Sequence, residues 1–431
     1  MFEKLTISEW RQFKSIDISF HPRITVITGA NGSGKTTLLN ILAKHFNWEP
    51  KFISSYDKDE QTGKYKYTNG IRADLRDEPY IKALSNGQDS RFVINEEQVL
   101  GLIYYTNGQK AIIQLPAGNN TTYTVMGLNM LNGIYISSHR PTFPYKELKK
   151  IPTIAPTKET ISKNYLSFSK LFFDDSYRNQ EELSAVRLIK ETLATLAIFG
   201  YGNQAVMANR EARELFEGYE EILRKVLPRK LGFKNIVVSI PEVMLSTKTG
   251  DFPLDAASGG ISSIIDITWQ LYMSPHSSES KYVVIIDEPE NHLHPELQKS
   301  FLPNLLEAFP NAQFIIATHN PFMISAVQDS YVYVLKYNEN NKVYSIQLDY
   351  ANKAGTANVI LRDVLGIDTS MPFWAEDKLA EIINKYSQQN ISNIVLDNLR
   401  QELSSLGFEG YIPSTIARII EANGNDKVNK S

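Results

Sequence analysis

Cysteine is absent from the chain, which excludes disulfides and thiolate metal sites. That composition fits a reducing cytoplasm, the expected compartment. A dominant charge is missing too: 45 Lys and Arg stand against 48 Asp and Glu, a formal −3 over 431 residues. No global field draws such a chain onto nucleic acid or an anionic membrane, so any contact of that kind has to be local. Charged or polar residues interrupt every apolar run before the ~18 residues of a membrane span. The opening MFEKLTISEWRQF lacks the apolar core of a secretory signal, so neither a membrane span nor export by that route is expected. No heptad pattern persists long enough for an extended coiled coil, and no internal repeat or low-complexity segment is found. What remains is 42% hydrophobic residues, enough for a sizeable core in one large domain with insertions or in two to three average ones.

Along the chain, the β-branched run from Ile24 to Thr28 leads through a Gly-rich turn into a helix expected to bury Leu38, Leu39, Ile41, Leu42 and Phe46. This is a βα unit of a parallel sheet. From about Lys51 to Arg140 aromatic and β-branched runs alternate with turns, and Asn107-Gly108 is a two-residue hairpin signal, so an antiparallel insert is expected. Residues 178 to 228 carry apolar residues at helical spacing, and the second helix ends before Pro228. The β/α pattern returns with the runs YVVIID and QFIIATH. The alternating YVYVLKY predicts an edge strand. Residues 352 to 431 read as helices with a frayed end, GNDKVNKS.

Chemistry concentrates at three strand ends. GANGSGKT, Gly29 to Thr36, fits the G-x-x-x-x-G-K-[ST] phosphate loop, whose backbone N–H groups and helix N-terminus wrap phosphate. Gly29, Asn31, Gly32, Ser33, Gly34 and Thr37 are expected to bind the nucleotide's phosphates. Lys35 neutralises the β and γ phosphates, and Thr36 ligates Mg²⁺. The strand ahead of DEPENHLHP ends in Asp287 and Glu288, at the C-terminal edge where α/β sheets bind ligands. Asp287 is assigned to Mg²⁺, directly or through water, and Glu288 to polarising the attacking water. His319 ends the third strand, within expected reach of a γ-phosphate. His292 and His294 have H-x-H spacing, for which loop packing is weighed above a transition-metal site.

One stretch stays unexplained by these elements: LDAASGGISSIIDI, where Ser258-Gly259-Gly260 opens a second helix. By itself this is an N-cap and a tight turn. Together with the phosphate loop, the Asp-Glu strand and the His strand, it resembles the ABC-type ATPase head. The resemblance implies a P-loop α/β fold with an antiparallel β lobe, a short helical insert and a helical C-terminal tail. It also implies that Ser258, Gly259 and Gly260 cap the γ-phosphate of ATP held by a second subunit.

WRQFKSIDISFHPRITVITGANGSGKTTLL is similar to the N-terminal lobe of RecF, SMC and OLD-type heads, which implies that Arg11 approaches nucleotide. DEPENHLHP and ATHNPFMIS resemble the OLD-like branch, and YISSHRP, 135 to 141, stands where transporters carry a glutamine loop. The motifs cover roughly residues 1 to 45 and 245 to 330. On this resemblance the chain divides into an N-terminal lobe (1–141), a helical lobe (142–245), a C-terminal lobe (246–350) and a helical tail (351–431).

Two departures stand out. Ile261 replaces the polar residue common after the signature glycines, and the tail shows no Asp-x-Asp of a TOPRIM nuclease. The chain therefore looks like a stand-alone defence ATPase, most like the ATPase subunits of PARIS anti-phage systems and next those of Septu. That implies a homo-oligomer, a dimer or larger ring, holding a separate nuclease effector of TOPRIM type, with a phage protein as trigger. The alternatives are a RecF-like repair ATPase that clamps DNA and a scaffold that binds ATP with negligible turnover. Only KELKK and RKVLPRKLGFK are basic clusters, so DNA is the disfavoured partner.

Overall fold

The computed structural model describes residues 1–48, 57–58, 65–66, 99–115, 123–172, 184–275, 280–349, 357–366, 373–387, 389, and 392–419 apart from 414 and 418. Most of the expected antiparallel insert (51–140) before residue 99, and the end 424–431, lie outside the described residues. Contacts separate two units, Met1–Gly366 and Ile367–Ser431.

The first unit is built on a mixed sheet. Its Ile24–Gly29 strand (β3) is wholly buried, as its β-branched run requires of a strand covered on both faces. Ala312–Ala317 (β14) and Tyr331–Tyr337 (β15) flank β3 in parallel. Beyond β14 lie Tyr282–Asp287 (β13) and then Gly133–Ile136 (β9), both parallel. Beyond β15 the sheet turns mixed: Val343–Gln347 (β16) pairs antiparallel with β15 and parallel with Phe13–Ser19 (β2). Phe2–Trp10 (β1), Val99–Tyr105 (β6), Lys110–Gln114 (β7) and Thr124–Met126 (β8) continue it as an antiparallel ladder. The described antiparallel strands thus extend the main sheet. At their hairpin, Gly108 has φ 79° and donates to the Tyr105 carbonyl at 2.9 Å, as the Asn-Gly signal predicts.

One expectation is corrected. Tyr331–Tyr337 lies inside the sheet, between β3 and β16. Its alternation misleads because Tyr333 is buried with its hydroxyl satisfied by the Ser19 N–H at 3.0 Å, while only the end tyrosines are exposed.

Side chains alternate between two cores, so Val284 and Ile286 face one and Val283 and Ile285 the other. Helix α1, Lys35–Ala43, covers the second with Leu38, Leu39, Ile41 and Leu42 fully buried, each contributing roughly 1.5–3 kcal/mol. Phe46 follows, half-buried. The first core takes helices α2 (Lys158–Phe172), α3 (Ala185–Tyr201), α4 (Arg210–Val226), α5 (Gly259–Tyr272) and α6 (Pro295–Ala308). The helical reading of 178–228 thus meets α3 and α4, with 173–183 outside the described residues. Asn209 caps α4 by accepting from the Ala212 N–H, and Leu227-Pro228 ends it.

Phe233–Ser239 (β10), Glu242–Thr247 (β11) and Phe252–Pro253 (β12) form a small antiparallel sheet, which helical periodicity did not reveal. A two-residue ladder, Asp57–Lys58 (β4) with Tyr65–Lys66 (β5), stands apart.

The second unit contains helices α7 (Phe373–Ser387) and α8 (Asn393–Ser405), packed through Leu379, Ile382, Tyr386, Leu399 and Leu403. Glu402 joins them by accepting from Lys385 Nζ (2.7 Å) and the Tyr386 hydroxyl (2.8 Å). Among the described residues, no helix is long and apolar enough to cross a membrane.

Candidate functional site

The loop after β3 can close only because two of its residues lack a side chain. Gly29 has φ 145°, and a Cβ there would stand 2.6 Å from the Leu335 carbonyl oxygen of β15. Gly34 has φ 95°, and its Cβ would meet the Phe13 ring at 2.5 Å. With Gly34 left-handed, α1 starts with Lys35, and the free N–H groups of its first turn face the loop. Asn31, Gly32 and Thr36 are exposed, Thr37 is half-buried, and Ser33 is buried. Lys35 is buried, with Nζ donating to the carbonyls of Gly29 (2.9 Å) and Ala30 (3.1 Å). Burial pushes its pKa down, opposed by the carboxylates of Glu288, Asp287 and Glu290.

Parallel register brings the other groups to the same edge. Ile27, Ala317 and Asp287 are aligned across β3, β14 and β13. The Thr36 hydroxyl donates to Asp287 Oδ2 at 2.8 Å, while Asp287 Oδ1 is buried without a hydrogen-bond partner. Burial raises the Asp287 pKa, opposed by the Thr36 hydrogen bond. An orphaned carboxylate oxygen beside a hydroxyl is a donor set that suits a hard cation sharing substrate phosphates, as Mg²⁺ does. Among the described residues no group of three or more His, Asp or Glu side chains is arranged to hold a metal without such phosphates.

Glu288 leaves the strand at φ 48°, with its N–H on the Ala317 carbonyl at 2.9 Å. This turn lifts its carboxylate off the strand direction. Oε1 lies 3.5 Å from His319 Nδ1, and Oε2 accepts from Asn291 Nδ2 at 3.1 Å. Sequence reasoning passed over Glu290, which is buried beside them. Its Oε1 accepts from the Thr318 hydroxyl and from the His319 N–H (3.3 Å), holding the turn that carries His319. The D-E-P-E spacing was the only available signal.

Arg140, at the end of YISSHRP, was likewise not singled out. Its buried guanidinium donates to the carbonyls of Glu288 (3.1 Å), Asn291 (3.3 Å), Ser137 (3.3 Å) and Asp287 (3.4 Å), and to Ser263 Oγ (3.2 Å) on α5. It therefore fixes the acidic turn against the Ser-Gly-Gly helix. Arg11 occupies the turn between β1 and β2 at φ 52°, its guanidinium 4.9 Å from the Trp10 ring centre. The same turn reaches the phosphate loop, since Gln12 Nε2 would lie 2.7 Å from a Cβ on Gly34.

The Ser-Gly-Gly start is placed differently. Ser258 and Gly259 are exposed, and the Ser258 side chain makes no cap hydrogen bond. A Cβ at Gly259 would meet His292 Cβ at 3.7 Å. Among the described residues, no hydrogen bond or ion pair joins Ser258–Gly260 to Gly29–Thr36. Ile261, the departure at the next position, is buried in the core. His294 caps α6, its Nδ1 accepting from the Glu296 N–H at 3.4 Å.

The chain is similar to known proteins in three respects. The AAA ATPase domain profile matches residues 1–324. The Septu protein PtuA of Bacillus thuringiensis is 25% identical over 243 residues, 51% of this chain and 61% of that protein. The endonuclease GajA of Bacillus cereus (strain VD045) is 21% identical over 401 residues, 84% of this chain and 64% of that protein. The chain thus spans about three-fifths of the length of these curated relatives. The SMC head domain from Thermotoga maritima superposes with a TM-score of 0.42 at 12% identity, covering 81% of this chain and 99% of that one.

Proposed function

The chain belongs to the AAA ATPase domain family, and from that premise we propose that it is the ATP-hydrolysing subunit of an anti-phage defence complex. The observation that carries the reading is the convergence of Lys35, Thr36, Asp287, Glu288 and His319 at one sheet edge, while Ser258–Gly260 opens a helix on the surface.

The residues have distinct tasks. Lys35, held on the Gly29 and Ala30 carbonyls, turns its ammonium to the β and γ phosphates of ATP. Thr36 and Asp287 would hold Mg²⁺, which supplies charge neutralisation at those phosphates. Glu288 accepts the proton of the attacking water, and Asn291 holds its carboxylate in place. His319 donates to the γ-phosphate, steadied by Glu290. Arg11 approaches the nucleotide from the β1–β2 turn. Ser258, Gly259 and Gly260 of a second copy cap the same phosphate, which makes the working unit a dimer or a larger ring.

The defence assignment draws on relatives named Septu PtuA and on retron ATPases. Relatives named endonuclease GajA and OLD nuclease support a link between this type of chain and nuclease action. In this chain the output passes to a separate nuclease, of TOPRIM type in the PARIS-like version of the reading, released when a phage protein is sensed. Two measurements test the proposal. Pure protein should hydrolyse ATP with Mg²⁺, without stimulation by DNA; stimulation would favour the DNA-clamping alternative. The product of the adjacent gene should co-purify with it, whereas protection against phage by this chain alone would overturn the separate effector.

A further inference from the structure

The chain leading into the Ser-Gly-Gly start is held by a lysine that the hydrolytic centre does not use. Lys190, on α3, has a side chain fully shielded from solvent. Its Nζ reaches Asp255 Oδ2 (2.9 Å), Glu242 Oε2 (2.7 Å) and the Lys146 carbonyl (2.7 Å), satisfying all three donors. The Lys146 N–H also donates to Asp255 Oδ2, at 2.9 Å. Four segments therefore meet at one ammonium: α3, the irregular strap around Lys146, β11, and the single turn Leu254–Ala256. Asp255 is three residues ahead of Ser258, on the turn that delivers the chain to α5.

The burial is one-sided in a telling way. Asp255 is as shielded as Lys190, while Glu242 keeps about a fifth of its side chain exposed and is also held by the Tyr145 hydroxyl at 2.7 Å. A fully desolvated charge pair fixes geometry tightly, because any shift leaves a charge unpaired in a low-dielectric interior. Ser258 itself lacks such anchorage: its side chain makes no cap bond, and a Cβ on Gly259 would meet His292 Cβ at 3.7 Å, an ordinary contact distance. The helix start is thus held from two sides: from α5, through the buried Ile261 and the Arg140–Ser263 bond, and from the chain ahead of it, through Asp255.

We infer that Lys190 is a positioning residue for the Ser258–Gly260 helix start, holding it, through Asp255, where it can cap ATP bound to a second copy of this chain. The inference rests on the composite-site reading above. It assigns Lys190 an effect in trans: its loss harms the neighbour's ATP and spares the nucleotide held by its own phosphate loop. A role in folding alone would not separate the two.

The test uses full-length Lys190→Met, together with Asp255→Asn, which removes the charge yet keeps one oxygen that can accept from both Lys190 and the Lys146 N–H. Each folded variant is expected to bind a fluorescent ATP analogue within about twofold of wild type and to lose about tenfold or more in turnover, a ratio of the size carried by coupling between sites. Copies carrying Lys35→Ala have a defective phosphate loop and an intact Ser-Gly-Gly start. Mixed with Lys190→Met copies, they should restore turnover severalfold, since the mixed pair holds one complete site. If Lys190→Met does not fold, Asp255→Asn decides by the same mixing. Wild-type turnover by a folded variant, or a loss that mixing does not repair, overturns the inference. Ser258→Arg, run in parallel, separates the two ideas. If it loses turnover and is rescued by Lys35→Ala copies while Lys190→Met is not, only the Lys190 role falls; if Ser258→Arg turns over normally, the composite site and this inference fall together.

Discussion

Two glycine-bearing helix starts in one chain have opposite surroundings. The first, at Gly34-Lys35, is backed by the sheet: Phe13, Leu335 and Asp287 pack against the loop and Lys35 is buried on backbone carbonyls, while Asn31, Gly32 and Thr36 reach solvent. The second, at Ser258-Gly259, is presented to solvent, with its polar side chain uncommitted. The same local device, free N–H groups at a helix N-terminus, therefore gives an inward site in one place and an outward surface in the other. Position on the sheet makes the difference, since β3 ends between two parallel neighbours, β14 and β15, while α5 is fed from a small separate sheet.

The contrast can be broken experimentally, and the largest effect is expected at the chemistry itself. Glu288→Gln should slow hydrolysis by about 100- to 10,000-fold, because an amide cannot take the water's proton. Nucleotide binding should persist, and light scattering with ATP and Mg²⁺ should show a dimer or larger species. A species of 48.9 kDa under those conditions would make the outward start idle.

Next comes Lys35→Ala, expected to weaken ATP binding on the order of 100-fold by removing a charge-assisted contact, with circular dichroism unchanged. Tight binding by the folded variant would relocate the phosphate site. Ser258→Arg should show the reverse pattern, with ATP affinity within about twofold of wild type and turnover down by roughly tenfold. Equal losses in both measurements would erase the distinction between the two starts.

The smallest effect concerns the helix behind the second start. Asp266 of α5 is fully buried, accepting from the Tyr165 hydroxyl and from Gln270 Nε2 (3.0 Å). Burial pushes its pKa from 3.8 up to about 6. A carboxyl raised in the folded state stabilises most when protonated, below pH 3.8, and loses that contribution as pH climbs through about 6. Asp266→Asn should therefore flatten the Tm-versus-pH curve between pH 4 and 7 by a few degrees. An unchanged slope would mean that Asp287 or Glu290, also raised by burial, carries it.

Much of the first start was legible from local pattern. Strand composition, a Gly-rich turn and helical periodicity placed Ile24–Gly29 and α1, and the apolar runs ahead of Asp287 and His319 placed those residues at strand ends. Less legible were residues whose roles depend on distant partners. Arg140 reads as one more arginine until its guanidinium is seen on the carbonyls of Asp287, Glu288 and Asn291, nearly 150 positions away. Glu290 is one acid among several until Thr318 and His319 are found donating to it. Lys190 lies at an unremarkable point of a helical pattern. Tyr331–Tyr337 misled because alternation registers polarity, and a tyrosine can bury its ring while its hydroxyl finds a backbone N–H.

Local geometry follows from the residue order: where the backbone must turn left-handed at Gly29 and Gly34, where strands end in carboxylates, and where two helices begin. Neighbouring residues dictate those outcomes through sterics and side-chain period, which act over a few positions. Which of these features meet follows from the folded chain. Parallel register carried Asp287 to Thr36 across 251 positions and left Ser258 facing outward, because strand pairing and the burial of charges such as Lys190 and Arg140 are settled by long-range packing.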